Sequence, residues 1–248
     1  MIRTYAVIAF VAAVVLGVYF NVPGRFFTDG VFPLAELDKV IAYDDEVDGG
    51  LSKTTFKNSQ DALDFSCSLG EDDSKSAWCG LLIDMIREDS VQTGLLLYRD
   101  WTFVDSVIVD LEAHGTDEIL LKIWTFDPEV TDVKVPRSFR LLMKELPLTE
   151  GRQRISIPLE QFYTPEFWYK DGKVDTTLVL RHQESVARVE IAPGWNHPRG
   201  KKFSLKIYEI YGKGLSNTAF GVVMFIMLGL TIVAIGRRHS LHKNSDGK

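Results

Sequence analysis

Cysteine is nearly absent from this chain of 248 residues, which has two, Cys67 and Cys79, alongside only five histidines. No histidine stands near either cysteine, so a metal centre of mixed Cys and His ligands is not expected there. The sequence also lacks a G-x-S-x-G elbow, an H-E-x-x-H pair and a phosphate-binding glycine loop, which removes the commonest hydrolase and nucleotide signatures. Asp and Glu are so numerous that chance pairs are expected, and none sits in a recognisable glycosidase motif. His114, His182 and His197 are isolated from one another and read as turn or strand-face residues. There is no internal repeat and no low-complexity linker. The expectation is a protein without enzymatic activity.

What the chain does have is two long uncharged runs near its ends. Residues 4–22, TYAVIAFVAAVVLGVYFNV, are about long enough to cross a bilayer. Arg3 in front would also suit a signal peptide, but the run is long for one and no small-residue cleavage site precedes Pro23, which favours an uncleaved anchor. Tyr19, Phe20, Phe26 and Phe27 would sit at the outer interface. Residues 219–236 form the second run, with Arg237 and Arg238 following as a cytoplasmic stop and a basic tail to residue 248. The expectation is two transmembrane helices, both ends cytoplasmic, and the bulk of the chain outside.

Basic residues are scarce between those runs. Arg3, Arg237, Arg238, Lys243, Lys248 and Asp246 are the only charges outside residues 21–218, which leaves that segment with 23 bases, 33 acids and a formal −10. Phosphate binding relies on clustered Lys and Arg, so nucleic acid is excluded as a partner. Outside the cytosol, two cysteines with nothing left over point to one Cys67–Cys79 disulfide, with a pair of buried thiols as the alternative.

The interior reads as strands. The stretch VARVEIAPGWNHPRGKKFSLKIYEIYGKG (186–214) holds two period-2 patches, Val189 with Ile191 and Phe203, Leu205 with Ile207, around a turn of Pro193, Gly194, Pro198 and Gly200. It leads almost directly into the second apolar run. Further alternating runs lie at 63–69, 107–111, 119–123, 139–143, 155–159 and 178–180. Short helices are expected at 34–40 and 165–169. Together these predict an all-β, antiparallel jelly-roll or β-sandwich domain over 44–214, with 23–43 as a linker or interfacial segment.

Several of these stretches resemble a known family. SAWCGLLIDM (76–85) with Cys67 before it, DSVIVDLEAHGTDEILLKIWTFDPEVTD (105–132), ISIPLEQFYTPEFWY (155–169) and the closing pair 189–212 are similar to the galactose-binding-like, carbohydrate-binding-module-like jelly-roll sensor domain of bacterial membrane diguanylate cyclases (GGDEF proteins) and related histidine kinases. DDEVDGGLS (44–52) also resembles the opening of related jelly rolls, including the complex I intermediate-associated family. The resemblance implies a bacterial inner-membrane protein whose main domain is periplasmic and senses a ligand. Where that family usually has Arg-Asn, this chain has Trp124 and Thr125. No catalytic domain follows the second apolar run, so output is expected from a separate membrane signalling protein.

Three groups of residues are candidates for binding. Trp124, Arg140 and His182 are predicted to share one exposed face, by period-2 counting from Ile123 and Leu141, and to form a polar or carbohydrate-like ligand site. Trp168 and Trp195 fall in or beside loops and join them, core closure being the plainer role for a sandwich tryptophan. The acidic run Asp44, Asp45, Glu46 and Asp48 could hold a structural calcium, although it lacks EF-hand spacing and a solvated acidic turn competes. The functional expectation is a recognition module for a ligand or protein partner. A structural or assembly subunit of an envelope complex is the alternative.

Overall fold

A computed structural model describes residues 2–59, 61–88 and 94–245. It divides into two units: the chain ends (Met1–Phe27 with Gly214–Lys248) and the body, Thr28–Lys213.

The body is a two-sheet β-sandwich. Its strands are β1 (Phe26–Phe32), β2 (Lys39–Asp44), β3 (Lys53–Asn58), β4 (Leu63–Ser68), β5 (Cys79–Asp84), β6 (Arg87–Glu88), β7 (Leu96–Leu97), β8 (Ser106–His114), β9 (Glu118–Thr125), β10 (Arg140–Pro147), β11 (Gly151–Pro158), β12 (Val186–Pro193) and β13 (Lys202–Leu215). One sheet runs β11-β8-β13-β4-β3, with β1 also paired to β13; the other runs β10-β9-β12-β5-β2. The small β6–β7 hairpin stands apart.

Alternation explains most of these strands. In β4, Leu63, Phe65 and Cys67 are buried while Asp64 is exposed. In β13, Phe203, Leu205 and Ile207 point inward and Lys206 outward. A bulge between Ile207 and Glu209 then shifts the register, so the inward set continues from Ile210. β12 breaks the pattern altogether: all its residues from Val186 to Ala192 are buried, because both faces of this central strand are covered. Val107, Val109, Leu111, Ile119, Leu121, Ile123, Val189 and Ile191 fill the space between the sheets.

Cys67 on β4 and Cys79 on β5 form a disulfide that ties one sheet to the other. Reduction is expected to lower stability by about 3 kcal/mol, read from urea unfolding with and without reductant. Equal midpoints would show that the bridge constrains nothing.

Three expectations for this region are corrected. Residues 23–43 are not a linker but supply β1 and most of β2. The helix expected at 34–40 is a turn leading into β2, where Asp38 accepts ion pairs from Arg87 and Arg99. Residues 178–180 are not a strand, and Val179 and Leu180 are exposed. The helix expected at 165–169 is present as α2 (Glu166–Gly172), once α1 (Ile2–Asn21) is counted at the chain start.

The other unit contains α1 and α3 (Asn217–Ser245), which contact each other. Asn217–Gly236 is long and apolar enough to cross a membrane, and its side chains lie unburied. The apolar stretch of α1, Tyr5–Asn21, is shorter, so by this measure one span is identified where two were expected.

Candidate functional site

The outer face of the β10-β9-β12-β5-β2 sheet gathers its polar groups around one carboxylate. Register places Glu190 on β12 between Leu82 of β5 and Lys122 of β9, with Ile41 of β2 completing the row. Trp124 and Tyr43 belong to the flanking rows and reach in toward Glu190. Lys122 Nζ lies 2.6 Å from Glu190 Oε1, Trp124 Nε1 donates to Oε2 at 2.7 Å, and the Tyr43 hydroxyl donates to Oε1. Glu190 itself is only 5% exposed. A buried carboxylate is tolerated because three donors, one of them a cation, face it.

Local sequence explains how the rings fit. Tyr43 pairs with Gly80 across β2 and β5, and a Cβ at Gly80 would lie 2.2 Å from the Tyr43 hydroxyl. Gly80 therefore leaves the space that Tyr43 fills. Burial, then the charge and hydrogen bond of Glu190, push the Tyr43 phenol well above its ordinary range, while Arg137 opposes them. Trp78 leans on Tyr43 with ring centroids 5.7 Å apart. On the far side, Trp124 packs against a satellite cluster of Leu120, Leu141, Met143, Trp168 and Ala192. The face thus presents half-buried rings held in place by polar contacts.

The residues predicted from sequence divide across this picture. Trp124 does lie on the outer face, half-buried. Arg140 does not share its row: register sets Arg140 opposite Thr125 and Leu141 opposite Trp124. Arg140 is 1% exposed, with Nε and Nη2 both donating to Asp127 Oδ2 at 2.9 and 2.6 Å and its guanidinium 4.9 Å from the Trp168 ring. His182 is no strand end. It adopts a left-handed φ of 50° before a short turn, with Nε2 3.5 Å from Asp127 and Nδ1 3.0 Å from Glu184. Arg140 and His182 are therefore brought together, but around a buried Asp127 rather than on an open face. Period-2 counting failed because β10 is apolar on both sides, the sandwich core on one and the α2 cluster on the other.

Trp168 closes that cluster at 6% exposure and donates to the Phe139 carbonyl, which makes it a packing residue. Trp195 is 57% exposed in the turn after β12. Its indole N–H reaches Glu145 at 3.3 Å, beside Tyr163, and its ring meets Phe167 edge-on. Sequence reasoning missed Tyr43, Lys122 and Glu190. The signal was present in VARVEIAP: a carboxylate in a strand buried on both faces requires partners.

The acidic run does not form a calcium site. Asp45 is 1% exposed, and its carboxylate accepts from Ser52 N–H, Ser52 Oγ and Trp78 N–H. Asp44 caps the following turn through Glu46 N–H and accepts from Thr54. These oxygens are committed to donors rather than converging on a shared centre. Among the described residues no group of three or more His, Cys, Asp or Glu is placed to hold a metal ion. Gly49 ends the turn at φ 72°, and Gly50 makes room for Asp45, whose Oδ1 lies 2.0 Å from where a Cβ would stand.

No family model matches the sequence, and no curated protein matches it either. Solved structures do. The family 11 carbohydrate-binding module of the cellulosomal cellulase Lic26A-Cel5E of Clostridium thermocellum is 11% identical over 76% of this chain and 94% of its own, with a TM-score of 0.51. A family 11 module from the same organism, in complex with a β-1,3-1,4-mixed-linked tetrasaccharide, is 13% identical over 77% and 96%, with a TM-score of 0.48. At such identities the first likeness speaks to architecture alone: this chain carries a β-sandwich whose jelly-roll fold resembles that of the family 11 module.

Proposed function

We propose that the body of the chain is a non-catalytic carbohydrate-recognition module displayed at a membrane. The observation that carries this reading is the Glu190 face, where Tyr43, Lys122 and Trp124 are held by one carboxylate. Rings fixed in this way can stack on a sugar without losing rotamer freedom on binding, and Lys122 remains able to donate to a hydroxyl. Exposed Arg137, near Tyr43, adds a second donor. The fold supports the reading, since the structure it matches belongs to a carbohydrate-binding module.

The membrane setting is part of the proposal. In this reading the apolar helix over Asn217–Gly236 is one span, the shorter apolar N-terminal helix is taken as a second, and the disulfide-bearing body lies in the periplasm between them. A relay to a separate membrane signalling protein is favoured by one feature: only Ser216 separates β13 from α3. A ligand that binds two arrangements of the sandwich unequally would then be felt by the helix. Docking within an envelope complex is the rival use of the same fold.

Binding of soluble neutral β-glucan oligosaccharides to the full chain in neutral detergent, followed by calorimetry, tests the recognition reading. Trp124→Ala is expected to weaken binding by about tenfold or more, while Lys206→Glu on the other sheet leaves it unchanged. Both variants are checked by melting for folding. Failure of every neutral saccharide to bind, or wild-type affinity in Trp124→Ala, would overturn the proposed site.

A further inference from the structure

The outer face of the opposite sheet has a chemistry of its own. A shallow groove of about 530 Å³ crosses β3, β4, β13 and β8. Three rows of outward-facing side chains cross this face, and all of their residues but Lys53 and Ser68 line the groove. Lys53, Ser68 and Lys202 form the first, Thr55, Ser66, Ser204 and His114 the second, and Lys57, Asp64, Lys206 and Glu112 the third. A row of hydroxyls is thus flanked on both sides by lysines.

Of these lysines, Lys206 Nζ lies 5.6 Å from the centre of the Tyr208 ring and Lys53 pairs with Glu46 at 3.5 Å. Lys57, Lys202 and Lys206 are exposed, and among the described residues no carboxylate lies within ion-pair distance of any of them. The nearby Glu112 is already engaged by the Tyr208 hydroxyl at 2.9 Å and by His114 Nε2 at 3.1 Å. His114 in turn holds Glu150 through Nδ1. Lys202 and Lys206 are four residues apart on β13, about 13 Å, and Lys57 is two strands from Lys206, about 10 Å.

We propose that this groove is a second, independent saccharide site, for an acidic chain that carries carboxylates, of the uronate type. The lysines complement the charge, and the Thr55, Ser66 and Ser204 hydroxyls meet sugar hydroxyls between them. Asp64, lying between Lys57 and Lys206, accepts from a hydroxyl and disfavours a densely phosphorylated partner. The body as a whole is strongly acidic, so a lysine-lined groove is a local exception that selects where a polyanion lands.

The test uses oligogalacturonate with the full chain in neutral detergent at low salt. Binding is expected, weakening by about tenfold or more in Lys57→Glu/Lys206→Glu and on raising salt to physiological strength. Trp124→Ala is expected to bind it as wild type does, which separates this site from the neutral-glucan face. Methyl-esterified oligogalacturonate is expected to bind poorly. The proposal falls if oligogalacturonate does not bind, if the esterified form binds equally well, if poly-glutamate binds as tightly, or if the double variant, shown folded by melting, keeps wild-type affinity.

Discussion

Asp127→Ala is expected to destabilise the body by about 3–5 kcal/mol, the usual consequence of removing one partner of a buried ion pair. Both members of this pair are 1% exposed, and the two Arg140 nitrogens reach the same carboxylate oxygen. Without Asp127, a guanidinium is left in the interior with only the Trp168 ring and the Tyr169 hydroxyl against it, neither of which carries a compensating charge. His182 and the Glu129 N–H lose a partner as well. For a domain of this size the melting temperature should fall by roughly 10 °C. Asp127→Ala/Arg140→Met is expected to recover much of the loss, because an apolar pair can replace a buried ion pair of similar volume. A single variant within about 1 kcal/mol of wild type would mean that Arg140 reaches water, and would return it to the list of ligand-binding candidates.

Asp45→Ala is the second large effect, expected at about 3 kcal/mol by chemical unfolding. The variant strands the Ser52 and Trp78 N–H groups in a buried site, at about 1–3 kcal/mol for each unsatisfied donor. Asn does not rescue it, since in either orientation its amide nitrogen would face a backbone N–H, that of Trp78 or that of Ser52, donor to donor. The pH dependence has a defined sign. Burial works to raise the Asp45 carboxyl, but the hydrogen bonds from Ser52 and Trp78 outweigh it and hold the group below the usual carboxylate range. Its contribution is therefore complete above the unfolded value near pH 4 and is lost as pH falls through the lower folded value. Wild type should lose stability through that acid window more steeply than Asp45→Ala. Parallel curves would show that the carboxylate is not ionised in the folded protein.

Much of the sandwich was legible because its strands alternate. β4, β8, β9 and β13 each have one face on the core, so their sequences carry period 2, and the two cysteines fall where β4 approaches β5. The method fails where both faces are covered. β10 and β12 offer no alternation to read, and Arg140 was assigned to solvent on a rule that its strand does not obey. β1 was missed for another reason: Phe26 and Phe27 look like an interfacial anchor until their strand partner, nearly the whole domain away, is known. The Glu190 face was invisible to local patterns because Tyr43, Lys122 and Trp124 come from strands 147 and 66 to 68 residues from Glu190.

The position of β13 has a kinetic consequence. It is the last strand of the body, yet it lies between β8 and β4 in the middle of its sheet and also pairs with β1, the first strand. During synthesis β8 can pair with β11 and β4 with β3, but the edges that β8 and β4 turn toward β13 have no partner until residues 202–215 have emerged. Their inner edges stay open for the whole of that interval, and closing the sheet then means bringing together segments separated by almost the full length of the domain. Such long-range closure is slow, and unpaired edges recruit other chains. The body is thus poised to fold only after its final strand is delivered, and a chain halted before Lys202 should accumulate as an aggregation-prone species rather than as a smaller folded domain.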